Sequence, residues 1–266
     1  MSKRTTPLIV GNWKATPETL DIAKKFIKQL DKKCEAIHSS KKTKLSFKLP
    51  KKVYFLAVPE VFITSLSDSV IHGYIGAENI SGIKIGQLTG TTTVSQLKSA
   101  GASFVIIGHS EIREQGETLI DCAKKVEHSL SLKLPTILCF GENHRDKNGN
   151  YLNELEENVK QTLSLVDRNL FENLIIAYEP LWAIGSSVPA TTAECFEVVI
   201  ALRRALASLV GIDYAKKVQV LYGGAVTKET AKSFLEEGGV DGLLIGRASQ
   251  DVDTFMDIIT TCYSNQ

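Results

Sequence analysis

The chain has 266 residues, with 31 Lys and Arg against 30 Asp and Glu, a formal net charge of +1 and 43% hydrophobic content. These are the proportions of an ordinary soluble globular protein, and a near-neutral balance supplies no field to gather nucleic acid or an anionic membrane. Five cysteines (Cys34, Cys122, Cys139, Cys195, Cys262) lie far apart without a C-x-x-C pair, which argues for reduced thiols rather than a disulfide framework or a zinc site.

No run of about 18 apolar residues occurs. The start, Met1-Ser2-Lys3-Arg4-Thr5-Thr6-Pro7, lacks the apolar stretch of a secretion signal. A cytoplasmic protein with neither a membrane nor a nucleic-acid partner is expected.

Short runs rich in Val, Ile and Leu recur at 7–11, 53–58, 74–77, 104–108, 135–140, 174–178, 218–222 and 240–246. Each is continuously apolar rather than alternating, as strands covered on both faces should be. Helical periods fill most of the gaps. Leu20, Ala23, Phe26, Ile27 and Leu30 share one stripe, with Thr16 expected as N-cap and Pro17 at the first helical position. From Lys32 to Lys52 the chain is polar and lysine-rich, and reads as a solvated insertion before the second strand. No aromatic residues interleave its lysines to make a site for an acidic partner. Residues 81–93 read as a long loop followed by a short helix. Thr191 heads a capping box with Glu194, and Thr227 opens a helix that ends at Gly238-Gly239.

Eight strand–helix units without a Pro/Gly/Ser-rich linker predict one (β/α)8 barrel domain over 1–266, with an eight-stranded parallel barrel inside outer helices. A doubly wound sheet is the alternative. It would be expected to carry G-x-G-x-x-G after the first strand, where this chain has Gly11-Asn12-Trp13-Lys14.

In such a barrel, reactive groups sit at the carboxyl ends of strands. Those positions offer Asn12 and Lys14, then His109, Ser110 and Glu111, then Glu179, Gly223-Gly224 and Gly246-Arg247. A carboxylate, an imidazole, an ammonium, an amide and two glycine-bearing loops suit proton abstraction beside a carbonyl in a phosphorylated small molecule. A desolvated Glu179 gains basicity. His109 is expected to act as a neutral hydrogen-bond donor at the start of a short helix opened by Ser110. Lys14 supplies positive charge, and the glycines let backbone N–H groups approach phosphate, helped by a helix after Arg247. His38, His72, His128 and His144 read as surface or packing residues.

Gly11-Asn12-Trp13-Lys14, Ile107-Gly108-His109-Ser110-Glu111, Ala177-Tyr178-Glu179-Pro180-Leu181-Trp182-Ala183-Ile184-Gly185 and Tyr222-Gly223-Gly224 closely resemble the triosephosphate isomerase family, in the right order and over nearly the whole chain. The resemblance implies Glu179 as catalytic base, His109 as electrophile, Lys14 and Asn12 as substrate-binding residues, and Glu111 as support for the lysine. It implies a phosphate site around Gly185, Ser186, Gly223, Gly224, Ala225, Gly246 and Arg247, and a closing lid over Pro180-Leu181-Trp182-Ala183-Ile184-Gly185-Ser186-Ser187-Val188-Pro189-Ala190. It further implies a phosphorylated triose substrate, a reaction that needs neither cofactor nor metal, and a homodimer. In that dimer Gly86-Gln87-Leu88-Thr89-Gly90 would enter the neighbouring subunit, with Thr89 the key contact.

Several positions depart from the family pattern. The lid tip has Ser187, Val188 and Pro189 where Gly-Lys-Thr is common, which should stiffen it. Ala225 replaces a serine, Arg247 a glycine, and Glu78 a glutamine. Thr91 and Ile112 stand where the family pairs charges across its interface. Two other readings remain from the residues alone: another phosphosugar-acting barrel, and a non-catalytic barrel that binds partners through its lysine-rich insertion.

Overall fold

A computed structural model describes residues 6–39, 49–82, 86–183 and 189–264. Eight strands form a closed, all-parallel barrel in chain order: β1 (Leu8–Asn12), β2 (Tyr54–Val58), β3 (Gly73–Ala77), β4 (Val105–Ile107), β5 (Thr136–Phe140), β6 (Leu174–Tyr178), β7 (Gln219–Tyr222) and β8 (Gly242–Ile245). Closure is made by β1 on β8, in register from Leu8 opposite Gly242 to Gly11 opposite Ile245. All eight expected runs are strands, with ends within about two residues of the reading.

Around the barrel lie α1 (Leu20–Ser39), α2 (Ile63–Ser67), α3 (Val94–Ser99), α4 (Ser110–Glu114), α5 (Leu119–Ser131), α6 (Asn150–Leu163), α7 (Thr192–Val210), α8 (Ile212–Ala215), α9 (Lys228–Glu237) and α10 (Val252–Tyr263). Thr191 with Glu194 makes the expected capping box, Thr227 opens α9 as expected and forms a box with Thr230, and Thr93 with Gln96 and Thr118 with Asp121 add two more. Residues 86–93 form the described part of the long loop before the short α3.

The continuously apolar strands are explained by two cores. Outward-facing residues such as Ile9, Leu56, Ile75, Ile176 and Val220 pack under the helices. Val10, Ala57, Phe104, Ile106, Ile137, Cys139, Ala177, Leu221 and Leu244 fill the barrel interior. Gly76 makes room there, since a Cβ at that position would lie 2.4 Å from the Phe104 ring.

Two helix expectations are corrected. The first helix begins at Leu20, not at Pro17. The Thr16 hydroxyl donates to the Trp13 carbonyl at 2.7 Å, and it is Thr19 that accepts a first-turn N–H, from Ile22 at 3.3 Å. The lysine-rich stretch is not insertion throughout, because 32–39 continue α1, where Ala23, Ile27, Leu30 and Cys34 are buried. Lys33 pairs with Asp253 at 2.7 Å, and Lys52 donates to the Gly73 carbonyl at 2.9 Å. Lys41, Lys42, Lys44 and Lys48 lie outside the described residues.

Candidate active site

The carboxyl ends of the strands open onto a cavity of about 880 Å³. Asn12, Lys14, His109, Glu111, Glu179, Gly223, Gly224, Ala225, Gly246 and Arg247 all line it, together with Pro180 and Ala183 of the lid segment. The other described lid residues have separate positions: Leu181 lies in a 3-10 turn with Trp182 and Ala183, and Pro189 and Ala190 lead into α7. Ile184, Gly185, Ser186, Ser187 and Val188 lie outside the described residues.

The first loop is built around an unusual backbone. Lys14 has φ +57°, a left-handed conformation that costs a residue with a side chain. The Asn12 side chain accepts the Lys14 backbone N–H at 3.1 Å and so closes the turn. The loop is then tied across the barrel. Trp13 Nε1–H donates to the Ser249 carbonyl at 3.0 Å, and Gln250 Nε2–H donates to the Trp13 carbonyl at 3.0 Å. Lys14 Nζ meets Glu111 Oε1 at 2.5 Å.

After β4, Gly108 turns the chain at φ +72°, and His109 becomes the N-cap of α4. The Glu111 backbone N–H donates to His109 Nδ1 at 3.3 Å, which leaves the ring proton on Nε2. Nε2 then lies 3.0 Å from Glu179 Oε1. The imidazole pKa is lowered to about 4. Burial is the larger cause, with the Lys14 charge second.

Glu179 follows β6 and is 3% exposed. Burial pushes its carboxyl up to about 7, against the hydrogen bond from the Ser110 backbone N–H to Oε2 at 3.0 Å. Gly223 leaves it space, since a Cβ there would lie 3.2 Å from Glu179 Cγ. On the phosphate side the expected helix after Arg247 is only a 3-10 turn, Arg247–Gln250, with α10 starting at Val252. The hydrogen bonds of Ser249 and Gln250 to the Trp13 segment, and of Ser249 to the Gly246 carbonyl, hold that turn tight.

Several residues with structural claims on the site were missed by motif reading. Glu142 Oε1 accepts Tyr178 Oη at 2.9 Å, Trp182 Nε1 at 2.9 Å and Arg145 Nε at 2.8 Å, so it anchors Trp182 just after β6. Its signal was weak: a lone Glu-Asn pair after β5. Ser110 was read only as a helix opener. Glu78 departs from the family, and its carboxyl, half-buried with an unpartnered buried Oε1, is pushed up to about 8 by burial. Among the described residues no cluster of His, Cys, Asp and Glu has the arrangement to hold a metal ion.

Residues 7–262 match the family profile described as triosephosphate isomerase. The chain is 35% identical to a triosephosphate isomerase of Lawsonia intracellularis over 261 residues, covering 97% of this chain and 98% of the relative. It is 34% identical to that of Thermoanaerobacter pseudethanolicus over 262 residues, covering 95% and 98%. For the Leptospira borgpetersenii protein of the same name the identity is 32% over 255 residues, covering 93% and 97%. The motifs, the closed barrel and these full-length similarities agree, and the chain belongs to the triosephosphate isomerase family.

Proposed function

We propose that the chain interconverts D-glyceraldehyde 3-phosphate and dihydroxyacetone phosphate, a step of glycolysis and gluconeogenesis, through an enediolate. The observation that carries this reading is the facing pair of Glu179 and neutral His109, 3.0 Å apart in one cavity with Lys14. Glu179 takes a proton from the carbon beside the carbonyl, being basic because it is buried. His109 Nε2–H donates to the oxygen that gains charge, and Lys14 adds fixed positive charge. Gly224, Ala225, Gly246 and Arg247 line the part of the cavity assigned to the phosphate, where glycine-bearing loops let the backbone approach an anion, while the Gly223 N–H is held by the Tyr178 carbonyl at 2.7 Å. Asn12 acts through the Lys14 turn and as a polar contact. The reaction moves only protons, so these side chains suffice without a cofactor.

Residues 1–266 are proposed as one barrel domain, with the lysine-rich insertion confined to the residues between Ser39 and β2. A homodimer is proposed through Thr89. All of 86–90 is exposed, and Leu88 is 54% exposed, as suits a loop that packs on a second copy. A mass measurement that returned a monomer at micromolar concentration would remove it. A cytoplasmic setting is supported by five buried, free cysteines. No described helix is long and apolar enough to cross a membrane.

The test is turnover of D-glyceraldehyde 3-phosphate by the purified protein and by Glu179→Gln. Losing the base should lower kcat by about 10³-fold or more with the fold intact. Substantial residual turnover would remove Glu179 from its role.

A further inference from the structure

The substrate cavity carries more acidic than basic side chains. Among the described residues that line it, Glu111, Glu114, Glu179 and Asp251 are carboxyl groups, and Lys14 and Arg247 are the only cations. The two cations are not equivalent. Lys14 Nζ is already held by Glu111 Oε1 at 2.5 Å. Arg247 is exposed, and its guanidinium makes no ion pair or hydrogen bond with any described residue. Asp251, four residues on, is turned to its own helix, where Oδ1 accepts the Thr254 backbone N–H at 2.8 Å and the Thr254 hydroxyl at 2.7 Å. The backbone under Arg247 is fixed while its side chain is free. Arg247 opens a 3-10 turn that is tied down by the Ser249 hydroxyl on the Gly246 carbonyl at 2.7 Å and by Gln250 Nε2–H on the Trp13 carbonyl at 3.0 Å. Gly246, the residue before it, sits against the lysine, since an added Cβ would lie 3.8 Å from Lys14 Cε. The other glycine-bearing loop, Gly223-Gly224-Ala225, offers no polar side chain.

We infer that the Arg247 guanidinium binds the phosphate dianion of the substrate directly, as a forked cationic contact, and so sets this protein's preference for phosphorylated over unphosphorylated trioses. This rests on the isomerase reading of the site, in which the ligand is a phosphorylated triose. A phosphate monoester carries close to two negative charges near neutrality. In a cavity with four carboxyl groups it needs a cation that is free to meet it, and Lys14 is shared with Glu111. The guanidinium is planar, stays charged at every working pH and presents two parallel N–H donors that match two phosphate oxygens. A tightly held turn beneath it limits the ordering that binding costs. The contact exists only when the substrate carries phosphate, so its loss falls on phosphorylated substrates alone.

The experiment measures kcat/KM for D-glyceraldehyde 3-phosphate and for D-glyceraldehyde, by proton NMR, with wild type, Arg247→Ala and Arg247→Lys. Arg247→Ala should lower the value for the phosphorylated substrate by about 10-fold or more and leave that for D-glyceraldehyde within about two-fold. Arg247→Lys keeps the charge without the fork and should fall between the two. Added guanidinium ion should recover part of the Arg247→Ala loss, again with the phosphorylated substrate only. Inorganic phosphate, followed by phosphorus NMR line broadening, gives a reading that needs no turnover, and its Kd should rise about 10-fold in Arg247→Ala. Equal losses with both substrates overturn the proposal, since that is general damage. An unchanged value for the phosphorylated substrate overturns it too, as does equal phosphate binding by wild type and Arg247→Ala. A wild-type protein that forms no product but binds phosphate through Arg247 removes the isomerase reading and keeps the phosphate contact. Product formation that is indifferent to Arg247 does the reverse, so the two failures are told apart.

Discussion

The Asn12 side chain holds the Lys14 backbone N–H at 3.1 Å and closes a turn in which Lys14 has φ +57°. The electrostatic residue of the site is therefore aimed by backbone strain rather than by its flexible side chain alone. Asn12→Ala should lower kcat/KM by about 10- to 100-fold, or roughly 1.4–2.7 kcal/mol, through a displaced Lys14. Asn12→Asp keeps the acceptor and should restore most of the loss. Steady-state kinetics of the two variants decide the point; equal defects would place the effect of Asn12 elsewhere.

The pH dependence is set by Glu179 and His109. With the free carboxyl at about 7, kcat/KM should fall as pH drops below that value, because the base becomes protonated. His109, at about 4, should add no limb in the neutral range. Stability runs the opposite way. The carboxyl binds its proton more tightly folded than unfolded, so its stabilising contribution is full below 4.5 and is lost as pH rises towards 7. Glu179→Gln should then melt higher than wild type at about pH 8 and no higher at about pH 4. Thermal melts across that range check the sign.

Glu78 should behave similarly for stability alone. Its carboxyl has an unpartnered buried Oε1 and is raised from 4.5 to about 8 by burial. The wild-type protein should lose stability between those two values as pH rises. Glu78→Gln, which carries no charge to desolvate, should flatten that decline and raise Tm at alkaline pH. Parallel melting curves for the two proteins would show that Glu78 does not titrate in this window.

Glu142 gathers three donors, from Tyr178, Trp182 and Arg145, on one oxygen. Glu142→Ala leaves Arg145 without its nearest carboxylate, a loss of about 3–5 kcal/mol for a fully buried pair. The remaining contacts of Arg145 with Tyr178 Oη and the Glu194 carbonyl place the effect at the lower end. It also releases the Trp182 indole, so emission should shift to the red while buried Trp13 reports no change. Glu142→Gln retains an acceptor and should hold Trp182 near its wild-type environment. Fluorescence spectra and melts of both variants test this.

The sequence by itself determined the barrel and the chemistry. A strand covered on both faces has to be apolar throughout, so each of the eight strands is visible as a local run, and helix caps such as Thr191 with Glu194 are local hydrogen bonds. Strand ends then name Asn12, Lys14, His109 and Glu179, because topology puts every strand's carboxyl end on one face. What only the tertiary structure decided are effects whose partners lie far along the chain. Burial is the larger cause that holds His109 neutral, and burial depends on the whole barrel closing. Glu142 gains its role only through Tyr178 and Trp182, 36 and 40 residues away. Local pattern encodes elements; desolvation and convergence of distant side chains belong to the fold.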